Sequence, residues 1–258
     1  MVRLRVVQRH CLRRLAMQLQ ANNDNTTAKR GQERMEPKGV CDRCLAGTTN
    51  SPAQETGTLK PKWLATKGVS LPWYTTPCVI QHLLHNPVDP APFFYPDIWH
   101  TVHLGFGRSW VASVLHLVLE VLPLPNLEAK LKRLSQAYSA FCKQQRLQKH
   151  VGSVTPYLMS YGDTTGAMGN WSKGALTTNF LRWLEQLLRT CNDDGRGLLL
   201  VALAATAALN RMFSALYRAD AFLNAEQCDA VSSDGLKFLR ISWKAVAFPA
   251  LPQTPHLS

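Results

Sequence analysis

The chain has 258 residues, of which 46% are hydrophobic and 18% charged, and its formal net charge is +12. The length and composition are those of a globular protein that buries a core as one domain or as a domain with an extension. The charge disfavours cationic partners and favours polyanions, such as nucleic acid or an anionic membrane surface. A basic protein without such a partner is the alternative.

Two further features narrow the class of protein. The sequence has no Walker-type loop, dinucleotide fingerprint or nucleophile elbow, which disfavours an NTPase, a dehydrogenase and a hydrolase. Its seven cysteines are odd in number and several fall in predicted helices, which indicates a reducing, intracellular compartment rather than a disulfide framework.

Residues 1–38 are predicted to form a basic N-terminal arm and a polar linker. The first acid is Asp24, and the preceding helix candidate carries Arg3, Arg5, Arg9, Arg13 and Arg14. Such a segment is typical of a nucleic-acid-binding arm or of a mitochondrial presequence, and it could also be the arbitrary start of a damaged gene. These alternatives predict a nuclear or a mitochondrial location, of which we favour the nucleus.

Cys41 and Cys44 form a C-x-x-C pair, which is the spacing of half a zinc site. The remaining ligands could come from Cys78, from His82 and His85, or from His100 and His103. A redox pair or two unrelated thiols are the alternatives. The following residues 48–72 are predicted as a loop, which Trp63 and Trp73 anchor to the core.

Residues 93–97 are predicted to form a short strand with the carboxylate of Asp97 at its end. The aromatic run Phe93–Tyr95 stops at Pro96, Asp97 and His100 follow, and Gly105 and Gly107 then break the chain. A carboxylate at a strand end can hold Mg²⁺ or Mn²⁺. Alternatively, Asp97 caps the next turn and His100 is a hydrogen-bonded structural residue.

Five helices are predicted after residue 107. The first, 109–122, is apolar on nearly every face and should be the most buried. Asn126 caps the second, and the others span about 176–190, 196–219 and from Asn224, with its capping-box partner Gln227, to near Gly235. The loop 151–174 should expose Trp171, Lys173 and Gly174, and residues 239–258 are predicted to be a disordered tail. No run reaches the ~18 apolar residues of a membrane span.

The second helix is strongly basic. Its inner stripe consists of Leu127, Leu131, Leu134, Tyr138, Phe141 and Cys142. Its cations, over residues 127–149, are Lys130, Lys132, Arg133, Lys143, Arg146 and Lys149, with Glu128 as the one opposing acid. This face could follow a phosphate backbone, or it could simply be a solvated cationic surface.

The run PDIWHTVHLGFGRSWVASVLHLV resembles the second catalytic block of eukaryotic DNA transposases of the Kyakuja–Dileera–Zisupton, Plavaka and CACTA-like groups. Asp97 would match the second catalytic acid, His100 the His of the D-x-x-H motif, and Leu104-Gly105 the Leu-Gly pair. The C-x-x-C pair also resembles one found upstream in some of these proteins. The resemblance implies an RNase H-like core followed by a helical insertion, with Mg²⁺ or Mn²⁺ needed only if the protein is catalytic.

The other two catalytic acids of that family are not recognisable in this sequence. The candidate acids Glu185, Asp194, Asp220 and Glu226 all lie in helices like those of the insertion. We therefore expect a mainly α protein with a small or incomplete mixed sheet in residues 75–106. In this expectation residues 39–125 form a truncated RNase H-like core and residues 126–238 a helical region.

The corresponding function is that of a transposase-derived, catalytically inactive fragment that binds nucleic acid, in particular DNA, weakly and without sequence specificity. The alternatives are a helical interaction module with a small zinc knuckle, unrelated to transposition, and a mitochondrially targeted helical protein.

Overall fold

The computed structural model describes residue 58, residues 60–66, residue 84 and the ranges 98–163, 166–191, 197–220 and 223–247, with side chains in the last range through residue 242. This part of the chain is mainly helical and contains no β-strand. Its α-helices are α1 (Gly107–Val121), α2 (Leu127–Gln144), α3 (Gly174–Thr190), α4 (Leu198–Arg218) and α5 (Ala225–Ala247). A π-helix, Trp99–Phe106, runs directly into α1, and 3-10 helices span Lys62–Thr66 and Tyr157–Met159.

Helix α1 is the centre of the core, as its apolar sequence predicts. Ten of its fifteen residues are buried, and Leu115 and Val118 have no exposed surface. It contacts the π-helix, α2, α3 and α4, so apolar side chains are needed on most of its faces.

The predicted break at Gly105 and Gly107 is a bend within a continuous helical path. Gly105 has φ −93° and ψ −123°, which lie outside the helical region, whereas Gly107 is helical. A Cβ on Gly107 would lie 2.7 Å from the carbonyl oxygen of Val102, so the close approach requires glycine. The helical structure therefore begins at Trp99, not after Gly107.

The caps of α2 and α5 are those the sequence predicts. The side chain of Asn126 accepts a hydrogen bond from the backbone N–H of Ala129 at 2.9 Å. Asn224 and Gln227 each accept from the other's backbone N–H, which is the reciprocal capping box.

The inner stripe predicted for α2 is confirmed at its buried positions, which are Leu134, Tyr138, Phe141 and Cys142.

The predicted end of the last helix near Gly235 is wrong, because α5 continues to Ala247. A Cβ at Gly235 would lie 3.2 Å from the sulfur of Met212, so glycine lets α5 approach α4 closely. Beyond it, Phe238 is buried against Phe106 and Trp110, and this burial outweighs the low helix propensity of glycine. The disordered tail predicted for 239–258 is accordingly wrong for residues 239–247; the rest of it lies outside the described residues.

The loop before α3 is also less exposed than predicted. Trp171 is buried, and its Nε1 donates to Oγ1 of Thr177 at 2.8 Å. Gly174 is buried because the ring of Trp99 lies over it, at a distance that leaves no room for a Cβ. Only Lys173 of this trio is exposed.

Two described helices, Trp99–Val121 and Leu198–Arg218, have the length and composition of a membrane span. A search for an unbroken run of apolar residues does not find these two helices, because isolated polar residues interrupt their apolar sequence. However, 78% and 50% of their most apolar windows are buried inside the fold. Core helices of globular proteins meet the same criteria, so this is weak evidence for a membrane span.

Candidate nucleic-acid interface

Most residues singled out from the sequence as catalytic or metal-binding lie outside the described part of the chain. These are Cys41, Cys44, Cys78, His82, His85 and Asp97. The five arginines of the predicted nucleic-acid-binding arm also lie outside the described residues. Leu84 and residues 98–106 are the only described positions within the predicted sheet region, and 98–106 are helical. His100 is exposed at the start of the π-helix.

His103, one of the possible zinc ligands, is a buried structural residue. Its Nδ1 lies 3.2 Å from the carbonyl oxygen of Ile98, and its Nε2 lies 2.5 Å from the hydroxyl of Tyr217. Because a carbonyl can only accept, Nδ1 carries the proton and Nε2 accepts from Tyr217. Both ring nitrogens thus have partners. Within the described residues no group of three or more His, Cys, Asp or Glu could hold a metal ion.

The candidate catalytic acids are dispersed. Glu185 in α3 accepts from Arg189 at 2.7 Å and from Asn210 of α4 at 2.8 Å. Asp220 is exposed after α4, Glu226 is exposed in the first turn of α5, and Asp194 lies outside the described residues.

The six cations of the basic segment divide into two groups. Nζ of Lys130 donates to the carbonyl oxygen of Leu119 at 2.6 Å, and Nζ of Lys149 donates to that of Gly152. These two satisfy carbonyl groups at the end of α1 and in a loop. The other four are exposed: Lys132, Arg133, Lys143 and Arg146.

We call these four exposed residues the α2 cationic surface; three lie on α2, and Arg146 follows its end, because the helix predicted for 127–149 stops at Gln144. Lys132 and Lys143 are eleven residues apart, close to three helical turns, so they share one face of α2. Arg133 is offset from them and borders a cavity of about 510 Å³ between α2, α3 and the end of α1. Glu128 is the one acid of the segment from Leu127 to Lys149, and it lies in the first turn of α2.

A second basic feature, not predicted from the sequence, is a groove of about 590 Å³ between α3 and α4 that also reaches the end of α2. Three arginines line it. Arg211 forms an ion pair with Asp234 of α5 at 2.6 Å. Glu185 is the one acid of the lining, and its carboxylate oxygens accept hydrogen bonds from Arg189 and Asn210.

The other two arginines of the α3–α4 groove have no ion pair with any described residue. Arg182 donates to Oε1 of Gln145 at 3.4 Å, which is a long contact to a neutral amide. Arg218 is exposed at the end of α4. Among the described residues, the groove therefore carries positive charge that no acid pairs with.

Phe213 and Tyr217, which line this groove, belong to a row of aromatic rings. The ring of His103 lies 5.8 Å from that of Trp99, 4.7 Å from that of Phe213 and 6.2 Å from that of Tyr217. Phe213 and Tyr217 are stacked at an interplanar angle of 14°. The inner rings are buried, whereas Trp99 and Tyr217 are 45% and 59% exposed.

The sequence held only part of the signal for this arrangement. Phe213, Tyr217 and Arg218 are close together on one helix, but Trp99 and His103 come from more than a hundred residues earlier.

Comparisons of the chain with protein-family models, curated proteins and solved structures found no match.

Proposed function

We propose that the chain is a transposase-derived, helical protein that binds nucleic acid, in particular DNA, weakly and without sequence specificity. The observation that carries the proposal is the α2 cationic surface, with four exposed cations in a segment that holds a single acid. The five arginines of the N-terminal arm would contribute to the same binding.

Binding of this kind depends on the release of counterions from the phosphate backbone. Each cation that neutralises a phosphate on a duplex contributes about 0.9 to the slope of log affinity against log salt concentration. Rows of exposed Lys and Arg contact phosphates without reading base edges, so the affinity should depend little on sequence.

A titration of labelled duplex at several salt concentrations tests the proposal. We expect the affinity to fall steeply with salt, and Lys132→Gln/Lys143→Gln to reduce the slope by about 1–2. The control Lys60→Gln/Lys237→Gln removes the same charge from exposed positions elsewhere and should change the slope less. Binding that is absent, or indifferent to salt, would contradict the proposal.

The transposase origin and the RNase H-like core rest on the D-x-x-H run and the apolar helix that follows it. In this proposal Asp97 lacks the converging acids that two-metal strand transfer requires. We expect no strand cleavage or joining in Mg²⁺ or Mn²⁺, and Asp97→Asn should leave DNA binding unchanged. Nicking in Mn²⁺ that Asp97→Asn abolishes would show that other acids were missed, and Glu185, Asp194 and Glu226 would be the first to test.

A helical interaction module unrelated to transposition is the second candidate function, favoured by the helical character of the described residues. The two candidates differ in the segment that leads into Asp97. Backbone chemical shifts of residues 75–97 that indicate paired strands would support the RNase H-like core, and helical shifts would support the interaction module.

A further inference from the structure

We propose that the α3–α4 groove binds single-stranded nucleic acid, with the ring of Tyr217 stacking on an unpaired base and Arg182 and Arg218 contacting the backbone phosphates. The inference rests on the proposed function, because it takes nucleic acid as the ligand. It assigns a different surface, however, and a specific form of that ligand.

The charge of the groove favours an anionic ligand. Arg182 and Arg218 project from adjacent helices into one cavity, and neither is paired with a described acid. Glu185 cannot offset them fully, since Arg189 and Asn210 already occupy both its oxygens. Arginine presents a planar fork of donors that matches the oxygens of a phosphate.

An exposed aromatic residue favours a ligand with flat apolar faces. Large aromatic rings are usually buried, yet Tyr217 is 59% exposed and lines the groove with the two arginines. Exposed aromatic rings combined with a cationic groove are the features by which proteins hold single strands. Bases in a duplex stack on each other and do not offer their faces, so this ring would discriminate against duplex.

The ring of Tyr217 is also held in place before any ligand binds. Its hydroxyl donates to the buried Nε2 of His103, and its ring stacks on Phe213. A side chain already fixed in one conformation loses little entropy on binding, so more of the stacking energy appears as affinity. The groove volume of about 590 Å³ lies in the range of small-molecule pockets, and it is large enough for a nucleotide unit.

The test compares a labelled oligo(dT) of about ten nucleotides with an abasic strand of the same length, which keeps the phosphates and lacks the bases. We expect the oligo(dT) to bind about tenfold more tightly. Tyr217→Ala should remove most of this difference and leave the affinity for the abasic strand unchanged. Tyr217→Phe, which keeps the ring, should retain most of the difference.

Matched controls separate stacking from charge and from loss of folding. Tyr157→Ala removes a tyrosine that is 77% exposed on another part of the surface and should have no effect. Arg182→Gln/Arg218→Gln should weaken binding of both strands and lower the salt slope by about 1.4, since single strands contribute about 0.7 per contact. Should Tyr217→Ala fail to fold, as judged by circular dichroism, Tyr217→Leu, which fills more of the space and also lacks a ring, provides the same comparison.

Three results would overturn the inference: equal affinity for oligo(dT) and the abasic strand, no effect of Tyr217→Ala in a folded variant, or equally tight binding of poly-glutamate. Duplex binding that depends on Lys132 and Lys143 but coexists with any of these results would refute only the single-strand site. Loss of all salt-dependent nucleic-acid binding would refute the proposed function as well.

Discussion

The hydroxyl of Tyr217 donates to Nε2 of the buried His103 with 2.5 Å between the two atoms, and this bond joins the last turn of α4 to the π-helix. The carbonyl oxygen of His103 accepts a second bond, from Oγ1 of Thr177 in α3 at 2.6 Å. One residue of the π-helix therefore fixes the positions of two later helices.

Tyr217→Phe should lower the free energy of unfolding by about 1–3 kcal/mol, because it leaves a buried nitrogen of His103 without a partner. Urea denaturation measures the change. Tyr157→Phe, at a position 77% exposed, is the control and should stay within about 0.5 kcal/mol of the wild type. Equal stability of the two variants would show that the His103–Tyr217 bond contributes nothing.

Leu115→Asp or Val118→Asp should lower the free energy of unfolding by several kcal/mol, because each places an unpaired charge where the side chain has no exposed surface. Leu200→Asp is the matched control. Leu200 is 58% exposed in the first turn of α4, where a negative charge is favourable. Thermal unfolding like that of the wild type for both α1 variants would show that α1 is not central.

Phe238→Ala should lower the free energy of unfolding by about 3–5 kcal/mol, the usual range for a large buried aromatic residue. Phe238 is 1% exposed, and its ring lies 5.4 Å from that of Phe106 and 5.2 Å from that of Trp110. Lys237→Ala changes the neighbouring exposed position and is expected to be nearly neutral. A small effect of Phe238→Ala would contradict the packing of α5 beyond Gly235.

The stability of the fold should decrease in mild acid because of His116. Burial lowers the pKa of His116 from its ordinary value of 6.5, and a hydrogen bond to the Met159 carbonyl opposes this only in part. The unfolded chain therefore takes up a proton at a higher pH than the folded one. The stabilising contribution is complete above about pH 6.5 and is lost as the pH falls through the folded pKa.

The measurement is the free energy of unfolding from urea denaturation between pH 7.5 and pH 5, for the wild type and for His116→Gln, whose amide can still donate to Met159. Below pH 6.5 the wild-type curve should fall more steeply than that of the variant, with a slope difference of at most about 1.4 kcal/mol per pH unit until the folded pKa is passed. Parallel curves would show that His116 does not protonate on unfolding in this range.

Zinc binding by Cys41 and Cys44 stays a prediction from their spacing. Protein purified without chelators should contain about one equivalent of zinc by elemental analysis, as a structural site holds one ion. Cys41→Ser/Cys44→Ser should lose it, whereas Cys228→Ser, at an exposed free thiol, should not. A metal-free wild-type preparation would rule the site out.

The periodicity of apolar residues predicted the five α-helices, apart from the end of α5, because each of them buries one stripe or, in α1, nearly every face. It did not predict the π-helix Trp99–Phe106, which lies where a sheet was expected. The caps at Asn126 and Asn224 were also predictable, since a cap is a local interaction between neighbouring residues. The errors occurred where distant residues decide. Gly235 ends no helix, because Phe238 is buried on α1 beyond it. Trp171 lies against α1, where Arg108, 63 residues earlier in the chain, donates to its carbonyl oxygen.

The α3–α4 groove could not be predicted for the same reason. The sequence shows that Arg182 and Arg218 are basic. It does not show that Glu185 bonds to Arg189 and Asn210, or that Arg211 pairs with Asp234, while Arg182 and Arg218 pair with no described acid. The exposure of Tyr217 depends on a bond to a residue 114 positions earlier in the chain. Patterns of neighbouring residues do not reveal contacts between positions so far apart in the chain.

The packing of Phe238 on Phe106 and Trp110 also affects the order in which the protein forms on the ribosome. The aromatic face of the π-helix and α1 is synthesised more than a hundred residues before the ring that covers it. At translation rates of about 5–20 residues per second, this face stays without its cover for on the order of ten seconds. We expect nascent chains that end before α5 to be held by chaperones and to aggregate when released, with completion of α5 as the step that makes the chain independent of them.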